Sequence, residues 1–352
     1  MYLKEKKIEM EAKIERYSEV NFLGPKQKKA LLKLDFPSCY LEDKLWESLE
    51  KPDIKHLKKI FMPSRTTSKR QNDISDIDVF KAVAAGDIIG SVYEFTEHDY
   101  NNINADDLVQ TRSCFTDDTV LSFATLLAVT DCPKKPNFRK AYIQAYYDFL
   151  NAGYGAHFIQ WASGYKTSNK VGYKSYANGS AMRVAVIGSR YDDVKDVIDK
   201  AIKSALVTHN HQDGIKGAVV TAVVVWMAKN RFSKEEIKEY VSHFYHFDEE
   251  SWKYVINRES YFDIDTDLST VSNEIAKTSI FCNYAVPFAI KCFIETHSYK
   301  ECMAEILKHY GDTDTICAIA GGICFAYYEN INLSANDMRR ITNILHGFTC
   351  QL

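Results

Sequence analysis

Residues 315–328 read TICAIAGGICFAYY, and this stretch decides the fold. Its apolar positions run round the whole circumference of a helix rather than down one face, which marks a helix enclosed on all sides. Gly321 and Gly322 lack a Cβ and let a neighbouring element come close. The stretch is therefore expected to form the centre of the core.

Outward from it, helical spacing of apolar residues recurs over 79–93, 119–129, 138–150, 180–188, 194–207, 214–229, 234–245, 271–278, 284–296, 299–309 and 334–346. No segment shows the alternation of a strand, so the fold class is all-α. Residues 1–60 mix Lys and Glu with apolar residues at helical spacing, broken at Gly24-Pro25 and at Pro37, and predict two or three modest amphipathic helices. Residues 63–77, PSRTTSKRQNDISDI, are polar and aperiodic, which suggests a linker. The expected division is a helical N-terminal extension with linker, 1–77, and a main domain, 78–352.

The chain has 352 residues, 46% of them hydrophobic, enough for a large buried core. Its net charge of -3 gives no sign of a nucleic-acid or membrane-surface protein, but it hides an asymmetry. Residues 1–77 carry +4 and the remainder -7. Nine cysteines without a C-x-x-C pair, behind a charged start MYLKEKKIEM, predict a reduced, cytoplasmic protein without a signal peptide. The longest apolar run, 217–228, is well short of the roughly 20 residues that a membrane span needs.

Immediately before the core stretch stands Gly311-Asp312-Thr313-Asp314-Thr315, and a similar group, Thr116-Asp117-Asp118-Thr119, precedes residues 119–129. Thr or Asp at a helix start commonly caps the helix. One cap satisfies a helix, however, and each of these turns brings two carboxylates and at least two hydroxyls. Like charges so close together repel unless a cation or solvent relieves them. Hard oxygen donors suit Mg²⁺ or Mn²⁺. A third acidic segment, Gly86-Asp87 to Glu94, also lies at the edge of an apolar run.

Two polar islands interrupt apolar surroundings: Ser175-Tyr176-Ala177-Asn178-Gly179-Ser180-Ala181-Met182-Arg183 and Thr208-His209-Asn210-His211-Gln212-Asp213-Gly214. They read either as tight interhelical turns or as a cradle for nucleotide phosphate. His209, His211, His243 and His246 lack the spacing of a zinc site. Cys317 and Cys324 fall in the buried stretch and read as core, and Trp161 and Tyr165 as aromatic packing.

GDIIGSVYE (86–94), FTDDT (115–119), SYANGSAMRVAVIG (175–188), THNHQDGIKGA (208–218) and GDTDTICAIAGG (311–322) together resemble the five ordered motifs of the ADP-ribosylglycohydrolase family, which includes the dinitrogenase-reductase-activating glycohydrolases. The resemblance covers about residues 78–345. It implies a compact, orthogonal multi-helix domain that hydrolyses the bond between ADP-ribose and a protein side chain. It further implies two Mg²⁺ ions, with Mn²⁺ as a possible substitute, held by Thr116, Asp117, Asp118, Asp312, Asp314 and Thr315. Glu94 corresponds to the family's mobile catalytic glutamate, with Asp118 and Asp314 also assigned to catalysis. Asn178, Gly179, Ser180 and Met182 would border the diphosphate and distal ribose, Tyr176 the adenosine end, and His209 a phosphate or ribose. Ala177 departs from the family pattern, where Gly is frequent.

The expected partners are an ADP-ribosylated protein and ADP-ribose, with arginine the preferred acceptor and serine next. One competing reading is an immunity protein that also captures an ADP-ribosyltransferase toxin through residues 1–77. The other is a relative that has lost catalysis, as in the family's lens-crystallin branch, against which the retained acidic residues speak.

Overall fold

The computed structural model describes residues 24–25, 53–66, 74–164, 172–248 and 261–349. The helices α1 (Ile54–Ile60), α2 (Asp76–Gly90), α3 (Asp117–Asp131), α4 (Phe138–Asp148), α5 (Ala156–Ser163), α6 (Ala185–Arg190) and α7 (Val194–Leu206) form the first half. Then follow α8 (Gln212–Lys229), α9 (Lys234–Tyr245), α10 (Asn273–Ala276), α11 (Cys282–Glu295), α12 (Tyr299–Ile306), α13 (Thr313–Tyr328) and α14 (Ala335–Thr349). Among the described residues the only β pairing is an isolated bridge between Ala177 and Phe281, so the fold is all-α.

The enclosed stretch lies in α13, which is buried along most of its length and packs most extensively against α2. Both helices carry small residues where they cross. A Cβ at Gly86 would lie 2.1 Å from the Cys317 carbonyl oxygen, and one at Gly321 would lie 2.6 Å from that of Ala82. The two backbones touch, and Tyr299 locks the crossing by donating its hydroxyl to Ala82 O at 2.7 Å. Helices α8 and α11 flank α13, while α3 packs on α2. This arrangement brings the end of α2 and the starts of α3 and α13 together.

Several elements differ from the sequence expectation for local reasons. The apolar run at 180–188 is not one helix. Its start is a 3₁₀ turn, Asn178–Ser180, in which the Asn178 carbonyl accepts from the amides of Ala181 and Met182, and α6 begins only at Ala185. Helix α2 begins at Asp76, where the Ser75 hydroxyl accepts from the Asp78 amide, and stops at Gly90, so Glu94 lies in the turn that follows. The stretch 271–278 breaks into α10 and a 3₁₀ turn, Lys277–Ile280. Helix α5 was not expected: it has eight residues and no side-chain cap.

Most of the expected N-terminal helices lie outside the described residues. The described part is engaged with the main body. Phe61, fully buried, stacks on Phe244 at 5.0 Å, Lys58 pairs with Asp199, and the Arg65 guanidinium lies 3.6 Å from the Phe232 ring centroid. Among the described residues no helix is long and apolar enough to cross a membrane.

Candidate active site

Helix α3 starts in the ordinary way, with Thr116 Oγ1 accepting from the Asp118 amide at 3.2 Å. What exceeds capping is Asp87, a fully buried carboxylate of α2 lying behind that turn. It accepts from the Thr116 amide and hydroxyl, each at 2.8 Å, from the Thr119 amide at 3.0 Å, and from the Thr119 hydroxyl. Burial pushes its carboxyl up to about 6, against the pull of those four donors. Asp87 thereby fixes the turn that carries Asp117 and Asp118.

Helix α13 starts differently. Asp312 is its N-cap residue but makes no side-chain cap. Its carboxylate instead accepts from Asn178 Nδ2 at 2.9 Å, while its amide donates to Ser279 Oγ at 2.8 Å. Two residues on, Asp314 Oδ1 accepts from the Thr315 amide at 2.8 Å. The Thr315 hydroxyl reaches across to Asp118 Oδ2 at 3.1 Å and joins the two helix starts.

Five carboxylates converge here. Oxygens of Asp87, Asp118 and Asp314 lie within 4.8 Å of one another, and so do those of Glu94, Asp312 and Asp314. Asp314 belongs to both groups. Burial, followed by the neighbouring acids, pushes Asp118 and Asp314 well above the ordinary carboxylate range and Asp117 up to about 8. Glu94, exposed at the rim in the turn after α2, is pushed up to about 7 by desolvation, Asp312 and Asp87.

These residues fit a divalent cation on two grounds. The donors are hard oxygens from three separate chain segments, around Asp87 and Glu94, Asp118, and Asp312 and Asp314, a set suited to Mg²⁺. Asp118 Oδ1 is also buried without a hydrogen-bond partner, although a buried charged oxygen is costly unless something satisfies it. A cation there would satisfy that oxygen.

Glu94, Asp117, Asp118, Asp312 and Asp314 line a cavity of about 370 Å³, with Asp87 behind them outside its lining. Asn178, Gly179, Met182 and His209 line it as well, together with Thr116 and Thr315. Two residues expected at the ligand are placed elsewhere. Tyr176 is outside the lining, its ring stacked on Phe281 at 4.9 Å with His211 at 5.3 Å. Ser180 is fully buried and donates to Gly214 O at 2.7 Å, which ties the 3₁₀ turn to the start of α8.

Among the described residues no group of possible metal ligands brings two of the histidines together. His209 Nδ1 meets the Thr208 hydroxyl at 2.7 Å, whereas His211 Nδ1 accepts from the Asp213 amide at 3.1 Å and caps α8. His246 groups with Asp263 and Asp265 on the surface, where Lys238 already neutralises Asp265 at 2.6 Å. Cys317 and Cys324 are fully buried, and burial raises both thiols well above their usual range, as suits core residues. Trp161 packs on Phe158 at 5.4 Å, and Tyr165 lies outside the described residues.

Sequence reasoning left Asp87 and Arg183 unassigned, although both stood in quoted motifs. The available signal was a charge inside an apolar run, VAAGDIIG in one case and AMRVAVIG in the other. Tyr173 and the start of α5 (His157, Phe158), which complete the cavity wall, carried no such signal.

An all-helical core whose helix starts deliver clustered acids and hydroxyls into one cleft defines a class of protein built to hold a divalent cation beside a polar ligand. The comparisons make the class specific. The profile described as ADP-ribosylglycohydrolase matches residues 79–341, and the chain belongs to that family, a family of glycosidic-bond hydrolases.

Among curated proteins the chain is 26% identical over 257 residues to ADP-ribosylhydrolase ARH3 of Bos taurus, covering 61% of this chain and 70% of that protein. It is 29% identical over 186 residues to the Homo sapiens protein of that name, covering 45% and 51%. A putative ADP-ribosyl glycohydrolase of Acanthamoeba polyphaga mimivirus is 24% identical over 281 residues, covering 70% and 84%. The chain thus spans about half of the human relative and somewhat more of the bovine one. A solved structure titled "ADP-ribosylglycohydrolase-related protein complex" superposes with a TM-score of 0.58 at 17% identity, covering 79% of this chain and 98% of that one, a likeness of fold.

Proposed function

We propose that the protein removes ADP-ribose from a modified protein side chain by hydrolysis, in a reaction that depends on Mg²⁺. The observation that carries this reading is the convergence of Asp118 and Asp314 on one cavity, with Asp314 shared by two groups of carboxylates and a buried Asp118 oxygen lacking a partner. Thr116, Asp117, Asp118, Asp312, Asp314 and Thr315 would hold two ions. When bound, the metal supplies electrophilic stabilisation next to the reacting sugar and offsets the charge of a diphosphate.

The remaining chemistry belongs to the chain. Cleavage at the anomeric carbon passes through an oxocarbenium-like state and needs a proton carrier at the mouth of the site. Glu94 stands there with its carboxyl near 7, where it can take a proton from water or give one to the leaving group. Asn178 orients Asp312 and also donates to Ser279 O at 3.0 Å, which fixes the turn that borders the ligand. Gly179 and Met182 form the wall beside it.

Arginine is the preferred acceptor side chain in this reading, with serine next. A linkage panel of ADP-ribosyl-arginine, ADP-ribosyl-serine and O-acetyl-ADP-ribose ranks them. The contacts of Phe61, Lys58 and Arg65 favour a structural role for the described part of residues 1–77 over capture of a toxin.

The test incubates ADP-ribosylated protein with wild type, Asp314→Ala and Glu94→Gln, with and without Mg²⁺. Wild type with Mg²⁺ is expected to release ADP-ribose, and both variants to lose most of that release. Full release in EDTA, or undiminished release by Asp314→Ala, would overturn the reading.

A further inference from the structure

Arg183 is a fully buried guanidinium in the wall of the cavity, and among the described residues no carboxylate pairs with it. Its Nη2 donates to the Thr208 hydroxyl at 2.8 Å and to Ser204 O at 3.1 Å. Its plane is held over the Tyr142 ring, 4.1 Å from the centroid, and Tyr142 is fixed in turn by Ser204 Oγ at 2.6 Å and Thr125 Oγ1 at 3.0 Å. Arginine has no acceptor, so Thr208 Oγ1 must be the acceptor of the first bond. The same oxygen lies 2.7 Å from His209 Nδ1.

That geometry leaves one economical placement of protons. The Thr208 hydroxyl is fully buried, and its proton goes to Nδ1, since the guanidinium cannot accept it. Were Nδ1 protonated, neither neighbour could take the hydroxyl proton, a costly omission in the interior. Burial and the Arg183 charge also hold the His209 ring well below its usual pKa, so it is neutral. The proton then sits on Nε2, on the ring edge that faces the 178–180 turn. Gly179 leaves room for that edge, because a Cβ there would lie 3.3 Å from both Cε1 and Nε2.

The geometry points to Arg183 and Thr208 as positioning residues that set the tautomer of His209, so that its Nε2–H is presented to the cavity as a fixed neutral donor for an oxygen of the bound nucleotide. The tautomer stands independently of the proposed hydrolysis, and only the identity of the ligand rests on that reading. A donor that cannot reverse its role favours a partner that can accept, such as a phosphate or ribose oxygen, and penalises a group that can only donate.

The test is nitrogen NMR of the full chain labelled with ¹⁵N-histidine, at neutral pH and without ligand. Wild type should show, besides His211, whose Nδ1 also accepts a hydrogen bond, a ring with an unprotonated Nδ1 and a protonated Nε2 that is assigned to His209 by its loss in His209→Gln. Thr208→Ser should keep that signature. Thr208→Val, which removes the hydroxyl at constant size, should lose it, and Arg183→Met should weaken it. Affinity for ADP-ribose, measured by calorimetry, should fall about tenfold in Thr208→Val, the worth of one well-placed hydrogen bond. A wild-type ring protonated on Nδ1 or on both nitrogens overturns the proposal, whether or not Thr208→Val folds. So does an intact signature in folded Thr208→Val. A correct tautomer in a protein that binds no ADP-ribose overturns the proposed function and leaves the Arg183–Thr208–His209 arrangement standing.

Discussion

The starts of α3 and α13 look alike in sequence, Thr-Asp-Asp-Thr against Asp-Thr-Asp-Thr, yet the fold treats them differently. At α3 a hydroxyl caps the helix and four donors tie the turn to Asp87. At α13 the N-cap carboxylate leaves the helix uncapped and turns toward Asn178. A protein that needed only helix ends would satisfy both alike. The α13 start forgoes a cap to place a second group of acids opposite the first, which is the signature of a site.

Breaking the two sides separately should reveal the difference. The largest effect is expected for Asp314→Ala, because Asp314 belongs to both carboxylate groups. Turnover of an ADP-ribosylated protein should fall at least about a hundred- to a thousandfold, the usual cost of losing one strong electrostatic contributor. Asp87→Asn comes next. The variant keeps the shape but puts an amide where two oxygens accept, so the α3 turn loosens. Activity should drop about ten- to a hundredfold, and half-maximal activity should require more Mg²⁺. Asn178→Ala removes one bond to Asp312 and one to Ser279 O, fewer than Asp87 makes, and should cost less. Equal losses in the Asp87 and Asn178 variants would mean that the two helix starts are held equally firmly, and the contrast between them would fail.

This contrast was only partly legible in the sequence. The all-α class and the central place of α13 followed from an apolar stretch with no polar face, because periodicity survives any tertiary context. The doubling of acids also pointed to a cation, since a cap needs only one. What could not be read was direction. Asp312 and Thr116 both stand at N-cap positions, and only packing decides that one caps and the other does not. Asp87 stood in the third acidic segment, but its task could not be read for a related reason: its partners lie 29 and 32 residues away and only the fold brings them beside it. The resemblance put Tyr176 at the adenosine end of the ligand, and in the structure its ring packs on Phe281, a contact that no sequence pattern announced.

The crowded acids also make a prediction about pH. Asp87, Glu94 and Asp117 have carboxyls raised to about 6, 7 and 8, above the unfolded value near 4. The metal-free folded state therefore holds protons that the unfolded chain has released. Its extra stability is complete below pH ~4 and is lost as pH rises through the raised values. The buried rings of His209 and His211, held below their usual pKa, oppose this trend up to about pH 7, so the Tm of metal-free protein should fall between about pH 7 and pH 8.5, and Mg²⁺ should flatten the profile by binding the ionised cluster. A metal-free Tm that rises over that interval would contradict the crowding on which the cation argument stands.

The smallest effect sharpens the comparison most, because it can be read without any ligand. Thr116→Val removes the α3 cap and a donor to Asp87, and should lower the metal-free stability by about 1 kcal/mol, the usual cost of a lost N-cap. Asp312→Asn removes no cap, since the Asp312 side chain makes none, and its amide oxygen can still accept from Asn178. It also takes one negative charge away from Asp314, Asp117 and Glu94, whose carboxyls it helps to raise. Metal-free Asp312→Asn should therefore melt at or above the wild-type temperature near pH 8, while losing the further stabilisation that Mg²⁺ gives wild type. If instead it melts as far below wild type as Thr116→Val does, Asp312 serves its own helix after all, and the two starts differ in sequence order alone.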